Sequence, residues 1–126
     1  MTRPRIQLAP VLLAATLSLA GCNLLNPGTA AITGGDRLRG KAAIDRYGCG
    51  SCHTIQGISH AHGLVGPPLT GLPDRMYIAG KLENTPGNLI RWIRDPQAIT
   101  PGTAMPVLAV SEQDAADIAA YIYSIP

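Results

Sequence analysis

The sequence predicts an all-α domain in which short helices are joined by Gly/Pro-rich loops. Three observations lead there: three segments carry helical apolar spacing with capping signals, the long stretch between the first two holds glycines and prolines without any sustained period, and no segment alternates as a strand would. Length and composition agree with one domain, since 126 residues at 46% hydrophobic and 14% charged leave little room for a second. Aromatic residues make up only 4%, with Trp92 and four tyrosines and no Phe. The large rings that usually fill a small core are nearly absent, so another bulky apolar body is expected in it.

The chain opens with Arg3 and Arg5, followed by an apolar run from Leu8 to Ala20. This is the layout of a secretory signal over residues 1–21. The run is shorter than the roughly 20 residues that span a bilayer as a helix, which argues against a permanent transmembrane anchor. It ends in "LAGC", which resembles the lipobox of bacterial lipoproteins, and that resemblance makes Cys22 a lipid anchor. The plain alternative is an ordinary exported protein in which Cys22 is discarded or left as a thiol. Without residues 1–21, eight basic residues face eight acidic ones, so no basic surplus points to nucleic acid. Residues 22–35 are neutral, small and rich in Gly and Pro, a tether that reaches about 45 Å when fully extended. The domain is expected over residues 36–126.

Within it, "DRLRGKAAIDRY" places Gly40, Ala43, Ile44 and Tyr47 on one face of a first helix over 36–47. Gly40 costs about 1 kcal/mol against Ala in an exposed helix, so close approach of another helix is expected there. Gly48 is the stop. Residues 57–73 read as loop, and 75–81 as a short turn of helix. Thr85 then caps a second helix over 86–95 that starts on Pro86 and ends before Pro96. Prolines 96, 101 and 106 hold the next segment stiff and extended. The last helix, 112 to about 124, opens with Ser111 and Asp114 in capping-box spacing. Its apolar face is Ala115, Ile118, Ala119 and Ile122, whose small residues admit a close partner, with Gly40 as the candidate contact.

The chemistry sits in "CGSCH", residues 49–53. Three readings compete. A zinc site needs four ligands, and beyond Cys49 and Cys52 only three histidines remain, two of them, His60 and His62, in one loop. A redox dithiol wants a βαβ context that the chain lacks. C-x-x-C-H is also a c-type haem attachment signature. Two cysteines three apart can add to two vinyl groups on adjacent corners of one porphyrin, and the next residue is then held beneath the iron. A porphyrin would also supply the missing aromatic bulk, so haem fits best.

Taken together, "GKAAIDRYGCGSCHTI", "GPPLTGLPDR", "NTPGNLIRWIRDPQAITPGTAMP" and "AADIAAYIYSI" resemble the monohaem class I cytochromes c. The likeness covers residues 36–126 and is strongest to the lipoprotein branch and to the domain fused to subunit II of haem-copper oxidases. The resemblance implies the class I cytochrome c fold around one covalent haem c. It implies thioethers at Cys49 and Cys52, His53 as proximal ligand through Nε2 and Met105 as distal ligand. By it, the Pro67 carbonyl accepts the His53 Nδ1 proton, Arg75 lies near a haem propionate, and Trp92 packs on the distal methionine. The plain readings are a solvated charge for Arg75, core packing for Trp92 and gap filling for Met105, with Met76 the only competing methionine in the domain. His60 and His62 are expected to be exposed.

With both axial positions taken by the chain, no small-molecule substrate can reach the iron, so an electron carrier is expected and not an enzyme. The resemblance implies redox partners of a respiratory chain, a terminal oxidase or a quinol-oxidising complex. The tether implies a membrane-held protein facing the periplasm or the outer side of the cytoplasmic membrane. The neutral residues Gln97, Ala98 and Ala104 imply apolar docking. The alternatives are a permanent subunit of a dehydrogenase or oxidase, or a haem sensor or enzyme with a labile Met105.

Overall fold

The computed structural model describes residues 32–126. The signal segment, Cys22 and the tether up to residue 31 lie outside the described residues. Helix α1, Arg37–Arg46, begins where the Asp36 carboxylate accepts the Arg39 N–H at 2.8 Å and ends at Tyr47, with Gly48 turning left-handed at φ 69°. A 3₁₀ turn at Cys49–Ser51 follows, and after a long loop a second one at Leu72–Asp74.

Helix α2, Pro86–Arg94, starts on the predicted Thr85 cap and stops at Asp95. The same Asp95 caps a further helix, α3, Pro96–Ile99, by accepting the Ala98 N–H at 3.0 Å. Helix α4, Glu112–Ile122, opens on Ser111, whose hydroxyl accepts the Asp114 N–H at 3.1 Å.

Two expectations are corrected. Residues 75–81 form no helical turn: Tyr77–Ile78 (β1) and Leu82–Glu83 (β2) pair antiparallel, Tyr77 opposite Glu83 and Ile78 opposite Leu82. Ala79 and Gly80 take φ of 52° and 66°, the primed turn whose twist suits a tight hairpin. Residues 96–99 are helical and not extended, because Pro96 lies at the first helical position, where its missing N–H costs nothing, and Asp95 supplies a cap.

Helix α4 packs against both α1 and α2. Residues Ala115 to Ile122 are all buried, and with Ala43, Ile44, Leu89 and Ile93 they form the core. The small face works as predicted: a Cβ built on Gly40 would collide with the Asp117 carbonyl, so the glycine lets two backbones touch. Asp117 itself is 1% exposed yet satisfied. Its carboxylate accepts the Asp36 N–H at 2.7 Å, Arg39 Nε at 2.7 Å, Arg39 Nη2 at 2.9 Å and Gln113 Nε2 at 3.0 Å. The first and last helices are thereby joined by packing and by charge.

Candidate functional site

Where α1 ends, the chain reverses through the turn that carries Cys49 and Cys52. The Cys52 and His53 N–H groups both donate to the Cys49 carbonyl, at 3.3 and 3.1 Å, which folds the motif into one compact loop. Cys49 and Cys52 are each half-buried. Burial pushes the Cys49 thiol up from its ordinary pKa, with Cys52 and Asp45 adding to the shift.

His53 is oriented by two neighbours. Its Nδ1 lies 2.7 Å from the Pro67 carbonyl, and because a carbonyl only accepts, Nδ1 carries a proton, so in the neutral ring the lone pair falls to Nε2. Gly66, whose N–H donates to the Cys52 carbonyl at 2.8 Å, lies flat against the ring, where a Cβ would collide with the imidazole.

Met105 approaches on the loop after α3. A cleft of about 400 Å³ is lined by Cys49, Cys52, His53 and Pro67 together with Met105, and its floor is Ile44, Leu89, Ile93, Ile118 and Ile122. Trp92 and Arg75 also border it. The structure thus brings the four sequence-predicted ligand residues to one apolar hollow. Met76, 77% exposed, borders instead a separate hollow of about 430 Å³ with Arg75, Tyr77, Glu83 and Asn84. His60 and His62 are exposed and do not line the cleft. Among the described residues no three His, Cys, Asp or Glu side chains gather as a metal site.

Arg75 is engaged with the chain. Its Nη2 donates to the Pro68 carbonyl at 2.7 Å and to the Thr70 carbonyl at 3.1 Å, bracing the loop that presents Pro67. Asn84 ties the same region to α4: its amide donates to the Leu72 and Arg75 carbonyls, each at 2.7 Å, and accepts the Tyr123 hydroxyl at 2.6 Å. Sequence reasoning missed Asn84, and it treated Gln97 as a neutral surface residue. Gln97 in fact bonds the backbone of the Met105 loop at three points. A lone amide side chain outside any motif gives no sequence signal of such a role.

The cleft fits a covalently held haem by its chemistry: a pair of cysteines, an imidazole turned by its Nδ1 contact, a thioether, and apolar walls with a glycine cradle against the imidazole. The comparisons agree. Similar proteins include cytochrome c oxidase subunit 2 of Alkalihalophilus pseudofirmus (strain ATCC BAA-2126 / JCM 17055 / OF4), 38% identical over 88 residues that make up 69% of this chain and 25% of that protein. Cytochrome c oxidase subunit 2 of Bacillus sp. (strain PS3) is 37% identical over 65 residues, 50% of this chain and 18% of that protein. The chain spans about a quarter or less of the length of these curated relatives. No solved structure matches the chain. The family model for cytochrome c matches residues 38–126, from the first turn of α1 through the thiol pair and the Met105 loop to the last residue. Residues 38–126 carry both the helical frame and the cleft, and through them the chain belongs to the cytochrome c family, which implies a covalently bound haem c.

Proposed function

We propose that this protein is a single-haem electron carrier of a respiratory chain, held at a membrane by Cys22 and exchanging electrons with a terminal oxidase or a quinol-oxidising complex. The observation that carries the reading is the convergence of Cys49, Cys52, His53 and Met105 on one apolar cleft. In it, Cys49 and Cys52 would hold the haem as thioethers, and His53 Nε2 and the Met105 thioether would hold the iron. When bound, the haem supplies a one-electron couple. The Pro67 carbonyl keeps the His53 proton on Nδ1, so Nε2 stays directed to the metal. The soft Met105 sulfur favours the reduced state. The floor of isoleucines and Leu89 excludes water and lowers the local dielectric, with the same effect on the potential. With His53 and Met105 both given to the metal, the chain would leave no place for a substrate there, and the chemistry supplied would be the uptake and release of one electron.

An oxidase partner is supported by the names of the relatives, both cytochrome c oxidase subunit 2. The rim of the cleft includes Val65 and Leu108, both exposed, and Leu64 beside them is 87% exposed. Such a rim suits an apolar docking face and also suits permanent residence in an oxidase, the second reading. Co-purification from detergent extracts separates the two, since a carrier leaves with the lipid fraction alone and a subunit stays with its complex.

The test is the visible spectrum of the mature protein, oxidised, reduced and under carbon monoxide. Sharp c-type bands on reduction, a weak long-red band in the oxidised form and no response to the gas support the carrier. Ready gas binding removes Met105 from the iron and leaves a sensor or enzyme. Cys22→Ala is expected to move the protein from the membrane pellet to the soluble fraction, and an unchanged pellet refutes the anchor.

A further inference from the structure

We infer that Gln97 is the positioning residue that holds Met105 on the iron, an inference that rests on Met105 being the distal ligand. Gln97 lies in helix α3, which is fixed at both ends: Asp95 caps it, and the Thr100 N–H donates to the Pro96 carbonyl at 2.9 Å. From that short rigid piece the Gln97 amide reaches across the following loop. Its Nε2 donates to the Thr103 carbonyl at 2.8 Å and to the Met105 carbonyl at 2.9 Å, while its Oε1 accepts the Gly102 N–H at 3.0 Å. Both amide protons and the oxygen are thus used on one loop.

That loop has little else to hold its backbone. The Thr103 N–H donates to the Thr100 carbonyl at 3.1 Å, and beyond it, among the described residues, no backbone N–H from Ala104 to Val110 reaches a backbone carbonyl. Nor does any backbone N–H reach the Thr103 or Met105 carbonyl. Gln97 therefore substitutes for the ladder that a helix or strand would give, and it does so at the peptide unit of the ligand itself. One of the three bonds reaches the Met105 carbonyl, and the other two hold the backbone at Gly102 and Thr103 just before it. A loop so held would present the Met105 sulfur to the metal from one fixed backbone position. A loop without it opens from the end that Gly102, with φ 83°, leaves free to turn.

The experiment compares wild type, Gln97→Leu and Gln97→Glu as haem-loaded proteins, reading the long-red methionine band in the oxidised form and carbon monoxide binding in the reduced form. Gln97→Leu removes all three bonds, and Gln97→Glu keeps the Gly102 acceptor but loses both donors. Both are expected to weaken the band and to speed gas binding by at least about tenfold, the equivalent of one to two net hydrogen bonds. Unfolding midpoints should move far less, since α1, α2 and α4 form the core without Gln97. If wild type shows the band and Gln97→Glu matches it in band and gas binding, the two carbonyl bonds do not position the ligand and the inference is overturned. If wild type lacks the band and Met105→Ala leaves the spectrum unchanged, the ligand reading itself has failed. Should neither Gln97 variant take up haem, exchange of side-chain amide protons in the reduced wild type decides. Gln97 is expected to exchange at least about tenfold more slowly than the exposed Gln56, in keeping with bonded protons, and equal rates overturn the inference.

Discussion

At the scale of single residues, the imidazole of His53 is held by a carbonyl on one side and by the absence of a side chain on the other. Gly66→Ala places a methyl where the ring now lies, so His53 must rotate away from the Pro67 carbonyl. The expected result is a haem-loaded protein with a high-spin component in its visible spectrum, and an unaltered low-spin spectrum would show that the ring has room to spare. Asp117 gives the residue-scale prediction for stability. Burial opposes its ionisation, but the hydrogen bonds from Arg39, the Asp36 N–H and Gln113 outweigh it and hold the carboxyl below its usual range. A depressed native pKa stabilises fully above the unfolded value of about 3.9, and the stabilisation is lost as pH falls through the native value. Asp117→Asn is therefore expected to lose about 2 kcal/mol at neutral pH and to show a flatter acid limb in denaturation curves. The Pro67 contact was legible in advance through family likeness, whereas Asp117 was not, because a buried carboxylate on an apolar face reads as an exposed one until its partners are known.

At the scale of elements, the crossing of α1 and α4 depends on Gly40. Gly40→Ala improves intrinsic helix propensity by about 1 kcal/mol but drives a methyl into the Asp117 carbonyl, so denaturant titration should report a net loss of about 2 kcal/mol. Gly87→Ala in α2 is the control: its added Cβ meets nothing within 4 Å, and a gain of about 0.5 kcal/mol is expected. The long elements were readable because cap and period coincide, as at Thr85–Pro86 and Ser111–Asp114. The short ones were not. Two-residue strands cannot display a period of two, and the Ala79–Gly80 turn lacks the Asn or Asp that usually announces it. Helix α3 was hidden for a related reason, since four residues carry less than a turn and a half of pattern.

On the scale of the whole molecule, the cleft lining is mostly apolar, and the charge on it, Arg75, is turned to backbone carbonyls. The ion pairs Arg39–Asp117 and Arg46–Asp114 join α1 to α4, while Leu64, Val65 and Leu108 stand at the cleft. Electron transfer to an isolated oxidase is accordingly expected to change less than about threefold between low and physiological salt, and a steep fall would assign docking to charges instead. The pairing of the first helix with the last also makes the cleft depend on both ends of the domain. Ile44 comes from α1 and Ile118 and Ile122 from α4, so the hollow is complete only where the two helices cross. The Asp117 latch that joins them therefore guards the hollow as well as the frame.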